Sequence, residues 1–223
     1  MSVHLHRELD KLRKQILALG ALVEDNLQLA LQALACGDTA LADRVLERDE
    51  EIDHQEVVIE EECLKILALY QPVAVDLRFV VALLKINNDL ERVGDQAVNI
   101  ANKVPATSGA STSSVLHVFE GVMVDKTLWM LRESLSSLVN MDVKLARKVR
   151  ATDDEVDALK SAARETFLRA IQEAPGQART LLAMLGAARN LERAADLASN
   201  IAEDVIYMVE GKIVRHSRGE DSE

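Results

Sequence analysis

Aromatic side chains make up only 3% of this 223-residue chain, although 48% of it is hydrophobic. A core of that composition is aliphatic, and the abundance of Ala, Leu, Glu, Arg and Lys is that of long helices packed side by side. Proline occurs three times and glycine nine times, too rarely to punctuate many short elements. The two cysteines, Cys36 and Cys63, form no CxxC and are expected as buried, reduced thiols on helices. No run of about 18 apolar residues is present, so no spanning helix is expected. The N-terminal Met1–Glu8 stretch has no apolar signal region, and a cytoplasmic location is expected. Positive charge is also scarce: the net charge is −11. Phosphate-backbone binding needs clustered Lys and Arg, so nucleic acid is excluded as a partner. Direct docking on anionic lipid is disfavoured, and association with a membrane is expected only through protein partners.

Catalytic motifs are missing too. The glycines stand alone, with no GxxxxGK[ST] loop to cradle phosphates. No Ser, Thr or Cys has the local context of an activated nucleophile. His4, His6, His54, His117 and His216 are scattered, and the one Glu with a His three residues on is Glu51, ahead of His54. Glu50 and His54 are spaced as a solvated helix pair. The expectation is a protein that is not an enzyme.

What is present is an internal echo. Leu90-Glu91-Arg92-Val93-Gly94-Asp95-Gln96-Ala97-Val98-Asn99-Ile100-Ala101 returns as Leu191-Glu192-Arg193-Ala194-Ala195-Asp196-Leu197-Ala198-Ser199-Asn200-Ile201-Ala202, identical at eight of twelve positions at an offset of 101. A duplicated unit follows. Apolar residues at three- and four-residue steps mark a first helix from Leu5 to Leu34, which Gly37 and Asp38 end. An acidic second helix runs from about Ala40 to Tyr70. After Pro72, placed near the first turn, a third runs from about Val73 to Val104. Pro105–Ser114 is small and polar, the one clear linker. The pattern then repeats: Val115–Asn140, a break at Asp142, Val143–Glu173, Pro175, and Gln177–Gly211. The expected architecture is all-α, two tandem three-helix bundles related by internal duplication. Repeat 1 spans residues 1–104, the linker 105–114, repeat 2 115–212 and a frayed tail 213–223. Trp129, Met130, Leu131 and Leu135 are expected in the core.

Both repeats keep a Glu, an Asp four residues later and an Asn four after that. Positions four apart on a helix lie on one face, with Cβ atoms roughly 5–6 Å apart. The second helices echo as well: Asp49-Glu50-Glu51-Ile52-Asp53 matches Asp153-Asp154-Glu155-Val156-Asp157 at an offset of 104. The bland reading is a solvated acidic face, with Arg92 reaching Asp95 and Arg193 reaching Asp196. Against it, like charges at i, i+4 destabilise a helix by roughly 0.2–0.5 kcal/mol, yet both copies retain them. Carboxylates and amides without His or Cys are hard ligands that suit Mg, Ca, Mn or iron. The candidate metal ligands are Glu91, Asp95, Glu192, Asp196, Asp49, Asp53, Asp153 and Asp157, with Asn99 and Asn200 in support. A carboxylate-bridged metal enzyme or metal store, and a plain helical scaffold, stay open.

The proline-led start Gln71-Pro72-Val73-Ala74-Val75-Asp76-Leu77-Arg78, the run Ile86-Asn87-Asn88-Asp89-Leu90-Glu91-Arg92-Val93-Gly94-Asp95-Gln96-Ala97 and its second-half echo resemble the PhoU family from about Leu5 to Gly211. That family comprises accessory proteins of phosphate transport that negatively regulate the phosphate regulon. The resemblance implies a cytoplasmic homodimer that meets the ATPase subunit of a phosphate ABC transporter and a sensor histidine kinase. It also implies divalent or multinuclear metal (iron, Mg, Mn or Zn) on the acid-x-x-x-Asp motifs. Two departures stand out: Gly94 becomes Ala195, and the second proline start reads Ala174-Pro175-Gly176-Gln177.

Overall fold

The computed structural model describes residues 3–107 and 121–214. Its long helices are α1 (Val3–Cys36), α2 (Thr39–Tyr70), α3 (Ala74–Ala101), α4 (Val122–Asn140), α5 (Val143–Glu173) and α6 (Ala178–Glu210). In α1, Leu5, Leu9, Leu12, Ile16, Leu19, Val23, Leu27, Leu31 and Leu34 are all buried, so the apolar stripe is the core face. Each fully buried Leu or Ile contributes about 1.5–3 kcal/mol relative to exposure. Met130, Leu131 and Leu135 are core residues as expected, and Trp129 packs partly buried against them.

The helix breaks follow their local chemistry. Gly37 takes φ 64, the left-handed conformation that ends a helix, and Met141 holds the same place in repeat 2 at φ 52. Asp38 then caps α2 by accepting from the N–H groups of Ala40 and Leu41, and Asp142 caps α5 by accepting from Leu145 N–H.

Pro72 stands just ahead of α3, near its first turn as expected, with Gln71 closing α2 at φ 46 and extended Val73 preceding Ala74. Elsewhere sequence and structure differ. Cys63 is buried but Cys36 is exposed, because the last residue of α1 falls off the apolar stripe. Val104–Thr107 forms one helical turn, so residues 105–107 of the expected linker are structured. Val104 and Thr107 are buried, and Thr180 Oγ1 donates to Ala106 O, tying the turn to α6. The rest of that linker, the expected helix start at Val115 and the tail from residue 215 lie outside the described residues.

α1, α2 and α3 pack mutually as one bundle, and α4, α5 and α6 as the other. The bundles are not separate cores, because one continuous apolar cluster draws on both repeats. Their main junction is the antiparallel pair α3 and α6. At one end Lys85 Nζ donates to buried Asp204 at 3.2 Å. At the other, Lys103 lies so close to Gly186 that an added Cβ would meet its Cε at 2.6 Å. With the 101-residue offset, Gly186 corresponds to Lys85 and Asp204 to Lys103, so the two ends are images about a pseudo-two-fold axis. A second junction brings Gly20 of α1 against Leu135 of α4, beside the Arg132–Glu24 ion pair. No helix among the described residues is long and apolar enough to cross a membrane.

The caps give a direct check on this reading. Asp38→Ala and Asp142→Ala should each lower unfolding free energy by about 1 kcal/mol, seen as a lower urea midpoint at unchanged slope. No shift in either variant would show that the caps do not hold the helix breaks.

Candidate metal centre

α2 packs on α3, with Ile52 against Gly94, and Ile52, Ile59, Leu90, Val93 and Ala97 of the two helices are all fully or nearly fully buried. On the flank of that seam, three- and four-residue steps bring forward Asp49, Asp53 and Glu56 from α2 and Glu91 and Asp95 from α3. The sequence-predicted four therefore meet on one two-helix face. Glu56 is a fifth member that the acid-x-x-x-Asp pattern missed. Its signal was a spacing of three after Asp53, the other same-face step of a helix.

Charges in this cluster raise one another's pKa. Partial burial, then Asp53 and Asp95, push Asp49 up to about 6 from 3.8. Glu91 is raised by burial first, then by Asp95, Asp53, Glu56 and Asp49. Glu56 is raised by burial, Glu60 and Asp53. Among the described residues no Lys, Arg or His pairs with any of the five. Arg92, expected on Asp95, turns instead to Asp89 at 3.1 Å, because Asp89 is the more buried acid.

Two details tighten the cluster. Asp49 Oδ1 is buried with no hydrogen-bond partner, which leaves a donor atom free for a cation. Gly94 makes this approach possible, since a Cβ there would stand 3.0 Å from Asp49 Oδ1 and 3.3 Å from Ile52 Cγ2. A side chain at this position would push the α2 carboxylate back by a few tenths of an ångström. Asn87 supports the rim: its Nδ2 donates to Glu56 Oε1 at 3.0 Å and to Glu56 O at 2.9 Å. The donor set is all hard oxygen, so these residues fit a hard divalent cation. Among the described residues, however, no three His, Cys, Asp or Glu side chains are already arranged around a common point.

The second cluster is built differently. Asp153 and Asp157 of α5 are half-buried, as is Glu192 of α6, while Asp196 keeps a solvent-facing edge. Lys160 enters this group, with Nζ 2.5 Å from Glu192 Oε1 and 2.9 Å from Asp157 Oδ1. Desolvation lowers the Lys160 pKa, but these two carboxylates outweigh it and raise the value overall. Asp196 is pushed up to about 6 by partial burial, then by Glu192, Asp153 and Asp157, against the pull of Lys160.

The remaining expected residues stand outside both clusters. Asn99 is exposed and Asn200 half-buried, and among the described residues neither amide bonds a cluster carboxylate. Glu50 and His54 are both exposed, as a solvated pair should be. Burial, with Glu60 and Glu62, pushes the Cys63 thiol up to about 12, so it stays protonated and inert.

A family profile described as the PhoU domain matches residues 16–104 and again 122–205. The chain belongs to the PhoU family. Among its relatives is the phosphate-specific transport system accessory protein PhoU homolog of Pseudomonas aeruginosa, 37% identical, covering 97% of this chain and 89% of that protein. The Escherichia coli K12 protein, phosphate-specific transport system accessory protein PhoU, is 31% identical over 99% of this chain and 91% of its own length. The crystal structure of PhoU from P. aeruginosa superposes with a TM-score of 0.84 at 35% identity, covering 93% and 99% of the two chains. That of the phosphate transport system regulatory protein PhoU from Streptococcus pneumoniae gives 0.83 at 28% identity, covering 94% and 99%. The doubled PhoU match falls on the two bundles, so the family assignment and the internal echo describe the same duplication.

Asp49 sets a pH dependence whose sign is opposite to that of a salt-bridged carboxylate. The unfolded chain releases this proton near 3.8 and the folded chain near 6. Between those values the folded state holds a proton that the unfolded state has lost, so stability falls as pH rises and the penalty is complete above about 6. In chelator-treated protein, Asp49→Asn should therefore gain on wild type in melting temperature as pH is raised from about 4 to about 6. A difference that stays constant across that range would contradict the assigned crowding.

Proposed function

We propose that this chain is a regulatory accessory protein of phosphate transport that is not an enzyme, and that it binds a hard divalent cation in its first repeat. The observation that carries the regulatory part is the match over nearly its whole length to proteins named as accessory to phosphate-specific transport. In this reading it acts in the cytoplasm as a homodimer. It meets the transporter's ATPase subunit and a sensor histidine kinase, and keeps the phosphate regulon repressed when phosphate is plentiful.

Asp49, Asp53, Glu91 and Asp95, with Glu56 beside them, would hold the cation, which would neutralise their mutual repulsion and bridge α2 to α3. Mg, Mn and iron suit these oxygen donors better than Zn, which takes nitrogen and sulfur ligands more often. The orphaned Asp49 oxygen and the Gly94 cradle support this assignment. The quartet Asp153, Asp157, Glu192 and Asp196 has the same donor chemistry but already contains an ammonium.

Deletion of the gene in a phosphate-replete host should release an alkaline-phosphatase reporter from repression, and a reporter that stays repressed would sink the regulatory reading. For the cation, Gly94→Ala should weaken Mn²⁺ binding about ten-fold by displacing Asp49, the scale of effect seen when a supporting contact of a metal site is lost. Unchanged affinity in calorimetric titration would remove Asp49 from the site.

A further inference from the structure

Aligning the two repeats within this one chain shows three coupled differences around the acidic faces. At the 104-residue offset of the second helices, Glu56 corresponds to Lys160; at the 101-residue offset of the third, Asn87 corresponds to Ala188 and Gly94 to Ala195. These are not scattered changes. In repeat 1, Asn87 hydrogen-bonds the Glu56 carboxylate, and Gly94 admits Asp49 over the backbone. In repeat 2, a methyl group replaces the amide that would have held the acid, and a buried Cβ fills the cradle. The residue that took the acid's place carries an ammonium, and it contacts Asp157 and Glu192 from within the cluster.

The chemistry of the two faces thus diverges at one point. Repeat 1 gathers five carboxylates with no cation of its own among the described residues. Repeat 2 gathers four carboxylates around a fixed positive charge. We infer that Lys160 supplies in the second cluster the positive charge that a divalent ion supplies in the first, so that this chain loads metal in repeat 1 and leaves repeat 2 metal-free. The inference rests on the metal reading of the first cluster given above. A lysine is a compact point charge with three donors, enough to pair two acids from two helices at once. It does so without a diffusible ligand, so the α5–α6 face is held together at any metal concentration. The α2–α3 face, by contrast, depends on supply. The two bundles are then a metal-responsive half and a constitutive half built from one ancestral unit.

The test is Mn²⁺ bound per chain at equilibrium dialysis, read by elemental analysis, with thermal unfolding in chelator as a second readout. Asp49→Asn with Glu91→Gln should abolish Mn²⁺ binding, whereas Asp153→Asn with Asp157→Asn should leave it at the wild-type level. Lys160→Glu should add Mn²⁺ to the wild-type content, and in chelator it should melt below wild type. The reciprocal Glu56→Lys should lose Mn²⁺ while melting above wild type in chelator, which guards against a Lys160 variant that merely fails to fold. Loss of Mn²⁺ on changing Asp153 and Asp157, or no gain in Lys160→Glu, would overturn the inference and leave the first site standing. Mn²⁺ binding untouched by the Asp49 and Glu91 changes, or absent from wild type, would overturn the metal reading itself and this inference with it.

Discussion

The antiparallel packing of α3 on α6 is the constraint from which the rest of the molecule follows. Neither helix can bury its full apolar face within its own bundle, and each completes the other. The closeness of the pair at Gly186 and the Lys85–Asp204 contact fix its register at both ends. Once α3 and α6 are joined, α2 and α5 are left on the outer flanks. The acidic edges of α2 and α5 then have only the edges of α3 and α6 to face. Two clusters of carboxylates at pseudo-equivalent places are the geometric result of duplicating one unit and pairing the copies.

Like charges brought together this way have three remedies: protonation, a partner cation, or solvent. In repeat 1 solvent reaches exposed Asp53 and Asp95, but Asp49 is raised to about 6 and one of its oxygens is buried without a partner. Repeat 2 carries its remedy in Lys160. Exposed ion pairs contribute little, about 0–1 kcal/mol, so the lysine matters less for overall stability than for what it keeps out. A second cation at Asp157 and Glu192 would have to compete with the ammonium already paired there.

Much of the fold was legible in the sequence because helix periodicity, Asp caps and the 101-residue echo all pointed to the same architecture. The limits of legibility are physical. Pro105–Thr107 reads as linker because Pro, Ala and Thr carry no periodic signal, while the helical turn Val104–Thr107 is tied to α6 by packing and the Thr180 hydrogen bond. Arg92 reads as a partner for Asp95, whereas in the structure it pairs with the more buried Asp89. In the acidic faces, the i, i+4 rule found Asp49, Asp53, Glu91 and Asp95 but passed over Glu56 and Lys160, which lie at i+3. The substitution of Gly94 by Ala195 was visible as a letter change. Its meaning, a carboxylate pressed over a bare backbone in one copy only, required the placement of α2 on α3.

The central claim, that one repeated fold carries one metal-dependent and one lysine-closed face, is tested most directly by locating the ion. Crystals grown with Mn²⁺ and measured at a wavelength where manganese scatters anomalously should show density between α2 and α3, at Asp49, Asp53, Glu91 and Asp95, and none between α5 and α6. Density at Asp153, Asp157, Glu192 and Asp196 with Lys160 swung away, or density at neither face, would contradict it.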